Sequence, residues 1–154
     1  MGGLVVDVQI LMIGSGLSDP CDDGSCLAVM TAMHDSEHMQ LVIDDESLIR
    51  TQYERKLRED CFGRVWFDEM LNRNKVLFVK RVALVKKVSQ AIRGTGLVGE
   101  DLKYYVRTAA ASAEKALISQ DGHYEEKTCK VLKKHLKVMV LSAEEGGKLA
   151  LTGG

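Results

Sequence analysis

Short apolar runs alternate with amphipathic stretches along the chain, and this alternation most narrowly limits what it can fold into. Four of the runs have the length and apolar content of strands: GLVVD (3–7), MQLVI (39–43), KALISQD (115–121) and KVMVLSAE (137–144). Strands that alternate with helices form a parallel sheet with helices on both faces. We therefore expect an α/β protein, a three-layer α/β/α sandwich around a central, mostly parallel sheet of four to five strands.

Between these runs, apolar residues recur at helical spacing. The predicted helices are CLAVMTAMH (26–34), DDESLIRTQYERKLRED (44–60), FGRVWFDEMLNRN (62–74), KKVSQAIRGTG (86–96), EDLKYYVRTAAASA (100–113) and YEEKTCKVLKKHL (124–136). In the second of them, acidic residues act as caps before Ile49, Tyr53 and Leu57, which lie on one side. The segment KVLFVKRVALV (75–85) suits a strand, a helix, or one followed by the other.

A chain of 154 residues is long enough for one domain with a substantial core. No linker or repeat divides it, so we expect a single domain over residues 1–150 and a loose C-terminal tail over 151–154. No apolar stretch is long enough to cross a bilayer, and the N-terminus lacks the features of a signal peptide. These features predict a cytoplasmic protein without a membrane partner.

Acidic and basic residues are unevenly distributed, although the net charge is only −1. Residues 1–74 hold 6 Lys/Arg and 14 Asp/Glu, a net charge of −8, whereas residues 75–137 hold 14 and 6, a net charge of +8. An acidic region can gather a cation while a basic region meets a polyanion. Solvated surface is the alternative that charge alone leaves open.

Two aspartates directly follow predicted strands. Asp7 ends GLVVD and Asp121 ends KALISQD, so both are expected where the carboxyl ends of parallel strands form a ligand-binding edge. Asp101 falls in the first turn of a later helix, and Glu54 lies beside the apolar Tyr53 on its own helix. Carboxylates gathered in this way repel one another unless a divalent cation neutralises them. Oxygen ligands without thiolate or imidazole favour Mg²⁺ or Mn²⁺.

The order and spacing of these acids resemble the motifs of the PIN-domain family of metal-dependent nucleases. In that family an aspartate follows the first strand, a glutamate lies in a helix after the second strand, and a third acid begins a later helix. A hydroxyl residue and an aspartate then follow a later strand. The matching positions, within VVDVQILM, LIRTQYERKL, EDLKYYVRTAAASA and LISQDGHY, are Asp7, Glu54, Asp101, Ser119 and Asp121. Glu100 is the alternative third acid.

The resemblance implies a ribonuclease that hydrolyses RNA phosphodiester bonds with Mg²⁺ or Mn²⁺. It implies that Asp7, Asp101 and Asp121 bind the ion directly or through water, that Glu54 holds a water of the ion or a second ion, and that Ser119 orients Asp121. Small members of the family are often toxins of toxin–antitoxin pairs. An antitoxin or another protein is therefore an expected partner, and a homodimer is a further expectation.

One departure from the family pattern supports a second hypothesis. Val8 and Gln9 stand where the family usually has a hydroxyl residue and an asparagine that help to hold the metal site. A PIN-like module that has lost catalysis would bind RNA or a protein partner without cleavage. The acids would then be helix caps or solvated groups at strand ends.

Four lysines near one face of a predicted helix are candidates for contacts with RNA phosphates: Lys127, Lys130, Lys134 and Lys137. Such contacts give an affinity that is independent of sequence and weakens with salt. Aromatic residues make up only 5% of the chain, so a platform for stacked bases is not expected. A solvated helix face is the alternative.

Other patterns carry less weight. GTGLVG (94–99) matches G-x-G-x-x-G, but a polar helical segment precedes it instead of the buried strand that a dinucleotide site needs. HDSEH (34–38) lacks a glutamate directly after its first histidine, so a surface turn is expected. Cys21 and Cys26 lack a second pair for zinc. A receiver-type phosphoacceptor would need paired acids, and Asp7 has no acidic neighbour.

Overall fold

The computed structural model describes residues 2–17, 24–120, 122 and 124–152. Its centre is a sheet of five strands in the order β3-β2-β1-β4-β5. The strands are β1 (Gly2–Val6), β2 (Met39–Asp44), β3 (Val76–Val79), β4 (Ala116–Ile118) and β5 (Met139–Leu141). All four neighbouring pairs are parallel. The predicted α/β class and parallel central sheet are therefore confirmed.

Helices cover both faces of this sheet and complete a three-layer α/β/α sandwich. They are α1 (Val8–Gly14), α2 (Ser25–Asp35), α3 (Leu48–Lys56), α4 (Phe62–Asn72), α5 (Lys86–Arg93), a π-helix (Asp101–Val106), α6 (Arg107–Ala111), α7 (Glu126–Leu136) and α8 (Ala143–Leu151). Within the described ranges, no helix is long and apolar enough to cross a membrane.

The central strand β1 lies next to the point at which the sheet topology changes direction. Every residue of β1 is buried, and the strand pairs with β2 on one side and with β4 on the other. Because the chain leaves β1 towards β2 and reaches β4 only later, the topology switches direction between β1 and β4. Ligands of open parallel sheets bind at such a switch point, outside the carboxyl ends of the strands.

The ambiguous segment 75–85 contains a strand followed by a non-helical stretch. β3 spans Val76–Val79, residues 80–85 are irregular, and α5 begins at Lys86. Since β3 lies at one edge of the sheet, its side chains are less buried than those of β1. Its sequence, VLFV, is nevertheless wholly apolar, which is why the pattern alone did not distinguish an edge strand from a helix there.

The sequence pattern did not indicate α8. The predicted strand 137–144 is shorter, Met139–Leu141, and Ser142 then caps α8 by accepting a hydrogen bond from the Glu145 amide at 3.1 Å. Gly146 lowers helix propensity, but it allows α8 to approach β4 closely, because a Cβ there would lie 2.4 Å from Ile118 Cδ1. α8 extends to Leu151, the first residue of the segment expected to be loose.

Candidate functional site

Asp7 lies at the carboxyl end of β1, at the switch point, and only 3% of it is exposed. Its backbone amide donates to the Ile118 carbonyl at 3.0 Å, which extends the pairing of β1 with β4. One carboxylate oxygen, Oδ1, accepts a hydrogen bond from the Gln9 amide at 3.1 Å and so caps α1. A buried carboxylate is costly without hydrogen-bond partners, so these contacts partly explain why Asp7 can be buried.

Ser119 approaches Asp7 from the neighbouring strand. It directly follows β4, where its amide donates to the Leu141 carbonyl of β5 at 3.0 Å. Its hydroxyl, which is also buried, donates to Asp7 Oδ2 at 2.9 Å. The resemblance implied that Ser119 orients Asp121, which lies outside the described residues; among the described residues, the Ser119 hydroxyl binds Asp7. Two predicted site residues from distant parts of the sequence therefore meet at the switch point.

Two buried tyrosines surround the same end of β1. The Tyr53 hydroxyl donates to the Val6 carbonyl, and the Tyr105 hydroxyl accepts from the Val8 amide at 3.1 Å. Both therefore bind the backbone directly before and after Asp7. The Tyr53 ring is fixed by an edge-to-face contact with Phe67, at a centroid distance of 5.1 Å.

The surroundings of these phenols strongly oppose their ionisation. Burial, and then the charge of Asp7, raise the pKa of Tyr53 well above its usual value. The pKa of Tyr105 is also raised well above its usual value, first by burial and then by the charge of Asp7. Both hydroxyls therefore remain neutral hydrogen-bonding groups at physiological pH.

A chain of side-chain hydrogen bonds connects the buried surroundings of Asp7 to the surface. Tyr105 donates its hydroxyl proton to Gln52 Oε1, and Gln52 Nε2 donates to Glu100 Oε2. Gln52 is only 5% exposed, whereas the Glu100 side chain is 45% exposed and lies 3.4 Å from Arg55. Glu100 and Asp101 are the two candidate acids at the start of the π-helix, and the chain of hydrogen bonds reaches Glu100.

Glu54 lies on the other side of α3. Its side chain is 42% exposed, and its carboxylate lies 3.6 Å from Arg64 Nη2 and 3.9 Å from Arg50 Nε. The residues of α3 that contact the surroundings of Asp7 are instead Gln52 and Tyr53, which are both buried. The helix therefore presents an amide and a phenol to the buried surroundings of Asp7, while its glutamate faces arginines.

Two further acids were predicted for the site, Asp101 and Asp121. Asp101 begins the π-helix and is partly buried. Asp121 lies outside the described residues. Within residues 2–17, 24–120, 122 and 124–152, no three His, Cys, Asp or Glu side chains are grouped as a metal site requires. Of the Asp7 carboxylate, Oδ1 accepts from the Gln9 amide and Oδ2 from the Ser119 hydroxyl, and a carboxylate is the kind of oxygen ligand that Mg²⁺ and Mn²⁺ prefer.

The candidate RNA-contact lysines lie on or next to α7, whose buried residues, Thr128 and Leu132, face the core. Two of these lysines make exposed ion pairs, Lys127 with Glu125 at 3.8 Å and Lys130 with Glu126 at 3.2 Å. The other two, Lys134 and Lys137, are exposed near the C-terminal end of the helix.

The predicted surface position of HDSEH agrees with the structure. The His34 side chain lies at the protein surface. Its Nδ1 is 2.9 Å from Asp35 Oδ1, and its Nε2 is 3.1 Å from Glu69 Oε2. Cys61 and Cys129 are free thiols, Cys26 is buried, and Cys21 lies outside the described residues.

Sequence reasoning missed Gln52 and Tyr105 as members of the hydrogen-bonded groups around Asp7. A search for acids overlooks a neutral amide, and a tyrosine at a core position of a helix is expected only to pack. The available signal for Gln52 was its position beside Tyr53 on the buried side of α3.

Comparison of the chain with family models gave no match, and neither did comparison with curated proteins.

Proposed function

We propose that this chain is a PIN-like ribonuclease that depends on Mg²⁺ or Mn²⁺ and hydrolyses RNA at the crevice beside Asp7. The observation that carries the proposal is the Asp7 carboxylate, which is 3% exposed at the switch point and bound by the Ser119 hydroxyl across the β1–β4 boundary. A buried carboxylate costs stability, so its presence at the ligand-binding edge of the sheet favours a functional role.

In this proposal the acids have different roles. Asp7, Asp101 and Asp121 hold the divalent ion, with Glu54 as an outer acid. When bound, such an ion lowers the pKa of a water and stabilises charge on the leaving oxygen. Ser119 fixes the Asp7 carboxylate through Oδ2, and Tyr105 fixes the backbone at Val8, so the position of Asp7 is set before substrate arrives.

RNA would be held through its phosphates. Lys134 and Lys137 are exposed in the basic part of the chain, together with Lys127 and Lys130. Binding through lysines weakens as salt rises, because it releases counterions from the phosphates. We also propose a cytoplasmic location, where RNA is accessible, and a protein partner such as an antitoxin.

The deciding experiment is cleavage of a labelled single-stranded RNA in Mn²⁺ by the wild-type protein and by Asp7→Asn. Asparagine keeps the shape, its Oδ1 can accept from the Gln9 amide and its Nδ2 can donate to the Ser119 hydroxyl, so the fold should survive while cleavage falls by about 100-fold or more. Asp45→Asn is the matched control, because Asp45 is an exposed aspartate just after β2. Full cleavage by a folded Asp7→Asn variant would contradict the proposal.

A second candidate function is supported by Gln52. An amide occupies the buried position of α3 that contacts the pocket, and Glu54 lies among arginines. A PIN-like module without catalysis would bind RNA or a protein through the same surface. It predicts RNA binding that persists in EDTA and no cleavage with any divalent ion. Turnover of the labelled RNA in Mn²⁺ would exclude this candidate.

A further inference from the structure

Four basic residues gather at the carboxyl edge of the sheet, on the side of β3. We call them the edge cations: Lys80, Arg81, Lys103 and Arg107. The first two directly follow β3, the third belongs to the π-helix, and the fourth begins α6. Because all five strands are parallel, the end of β3 lies at the same edge of the sheet as Asp7.

Hydrogen bonds hold the residues after β3 against the π-helix and α6. The Val82 amide donates to the Arg107 carbonyl at 3.1 Å, and Arg107 Nε donates to the Val82 carbonyl at 2.7 Å. Arg81 Nη1 donates to the Lys103 carbonyl at 2.8 Å. Two distant parts of the sequence are therefore fixed together in a way that collects positive charge.

The acids that follow β2 balance only part of this charge. Within the described residues, the edge cations make a single ion pair, between Arg81 Nη2 and Glu46 Oε1 at 3.1 Å. Asp45 also lies near the end of β3, because its amide donates to the Val79 carbonyl at 2.8 Å. With both acids counted, four positive charges face two negative ones.

Arg107 keeps hydrogen-bond donors available for a ligand. Its Nε is bonded to Val82, but neither of its terminal nitrogens hydrogen-bonds to a described residue. Arg107 is partly buried; burial and then the charge of Arg81 lower its pKa, whereas Glu46 acts in the opposite direction. Two guanidinium groups therefore repel each other in partly dehydrated surroundings, and a bound anion would relieve that repulsion.

A ligand with repeating phosphates suits these donors. A guanidinium presents its N–H groups in a planar fork that fits the oxygens of a phosphate. Lys80 and Lys103 are exposed and add ammonium groups on neighbouring residues. Two strand spacings separate β3 from β1, which is about 10 Å, so a nucleic acid strand at Asp7 would reach the edge cations within a few nucleotides.

The lysines of α7 are placed differently. α7 runs from the carboxyl edge back towards the amino edge, because β5 follows it and is parallel to β4. Its 11 residues span about 16 Å, so Lys134 and Lys137 lie towards the amino edge. A strand lying along the carboxyl edge would therefore pass the edge cations before it could reach these two lysines.

We infer that the edge cations bind backbone phosphates of an RNA strand that lies along the carboxyl edge, with Arg107 as the main contact. Arg81 is a positioning residue, because its own guanidinium is held by the Lys103 carbonyl and by Glu46. The choice of RNA rests on the proposed function, but the binding requires neither a metal ion nor cleavage.

The test is binding of a fluorescein-labelled oligouridylate of about ten nucleotides to the full chain in EDTA, followed by fluorescence anisotropy. Arg107→Gln removes the charge and the fork, so it should weaken binding about tenfold. Arg73→Gln is the matched control, because Arg73 is exposed, contacts His34 and precedes β3 at the opposite edge of the sheet. It should weaken binding less than about twofold.

The salt dependence of binding separates a lost phosphate contact from a loss of structure. Arg107→Gln should reduce the slope of log Kd against log salt by about 0.7, whereas Arg73→Gln should leave the slope unchanged. Arg107→Lys should restore most of the slope, because it keeps the charge. Equal affinities and slopes for Arg107→Gln and Arg73→Gln, with both folded by circular dichroism, would overturn the inference.

A second variant keeps the test decisive if Arg107→Gln does not fold. The double substitution Lys80→Gln and Lys103→Gln changes two exposed side chains. It should reduce the slope by about 1.4, because it removes two phosphate contacts. An unchanged slope in this variant would equally overturn the inference.

Competition identifies the ligand. Unlabelled oligouridylate should displace the labelled strand, whereas inorganic phosphate at the same phosphate concentration should not, because it lacks linked charges. Displacement by inorganic phosphate would indicate a site for a free phosphate, and the inference would be wrong. An oligoglutamate that binds as tightly and depends equally on Arg107 would indicate an acidic protein as the ligand, with the same consequence.

Failure of this inference and failure of the proposed function give different results. If RNA is cleaved in Mn²⁺ but Arg107→Gln binds it normally, the ribonuclease stands and the edge cations do not contact its substrate. If RNA binding depends on Arg107 and no divalent ion supports cleavage, the edge cations stand and the ribonuclease does not.

Discussion

Asp7 and Asp44 occupy equivalent positions in neighbouring strands but have different surroundings. Each is a buried aspartate at the carboxyl end of a parallel strand, with exposed fractions of 3% and 0%. Asp44 accepts three backbone hydrogen bonds, from Glu46 at 3.1 Å, Leu48 at 2.9 Å and Ile49 at 2.8 Å. All three donors belong to the turn that leads into α3 or to its first residues.

Asp7 makes a different set of contacts. Among the described residues, Asp7 Oδ1 accepts from the Gln9 amide of α1, and Oδ2 accepts from the hydroxyl of Ser119, which follows β4. Its charge also acts on Tyr53 and Tyr105. The comparison shows that burial alone does not identify a functional acid. Asp44 is explained by the cap that it provides, whereas Asp7 joins several elements around the switch point.

The largest effect on stability is expected at Asp44. Asp44→Ala would leave three backbone amides of a buried turn without their acceptor, so the free energy of unfolding should fall by about 3 kcal/mol. Denaturation by urea measures this loss. Asp45→Ala, at the exposed neighbouring aspartate, should change stability by no more than about 0.5 kcal/mol. Similar losses for both variants would show that Asp44 is not the cap described above.

Alkaline pH should reduce the stability that the two tyrosines around Asp7 contribute, whereas no tyrosine hydrogen-bonds to Asp44 among the described contacts. Because the pKa values of Tyr53 and Tyr105 are raised in the folded state, the folded protein keeps protons that the unfolded chain loses above about pH 10. Their contribution is therefore complete below that pH and falls as the pH rises, by up to about 1.4 kcal/mol per pH unit for each tyrosine.

The measurement is the free energy of unfolding between pH 9 and pH 11 for the wild-type protein and Tyr105→Phe. The difference between the two cancels groups such as Lys75, whose pKa is lowered by burial and which acts in the opposite direction. We expect a shallower decline in the variant. An unchanged slope would mean that Tyr105 ionises equally well in the folded and unfolded chains.

The two aspartates also show how far the sequence determines the site. Position directly after a buried run predicted Asp7 at the sheet edge, and the meeting with Ser119 follows from β1 and β4 being neighbours. Acidic residues before α3 were expected as caps, as Asp44 is. Gln52 was missed because its role depends on a hydrogen bond from Tyr105, which lies 53 positions away in the sequence.

Prediction of the fold from the sequence has the same limit. Periodicity locates elements with a clear apolar pattern, such as β2 and α4, close to their observed bounds. It fails for α8, because two adjacent glycines weaken the helical pattern and the reason for Gly146 is its contact with Ile118 on β4. Local propensity cannot report a requirement that arises only after distant elements pack together.

A smaller effect is the coupling energy between each aspartate and Ser119, which should differ for Asp7 and Asp44. In a double-mutant cycle of Asp7→Ala and Ser119→Ala, the coupling energy should be about 1–2 kcal/mol, because a hydroxyl donates directly to the carboxylate. The control cycle combines Asp44→Ala with Ser119→Ala, which share no hydrogen bond, and should be additive within about 0.5 kcal/mol. Equal coupling in the two cycles would indicate a general loss of structure.

The smallest effect is expected at Glu54, an acid outside the buried surroundings of both aspartates. Its side chain is 42% exposed and its ion pairs with Arg50 and Arg64 are 3.9 and 3.6 Å long, so Glu54→Gln should change the free energy of unfolding by less than about 0.5 kcal/mol. Urea denaturation at low and high salt checks this. If RNA cleavage is observed and Glu54→Gln abolishes it without changing stability, Glu54 acts on the ion despite its arginine partners. Unchanged cleavage would restrict the reaction to the acids on the Asp7 side of α3.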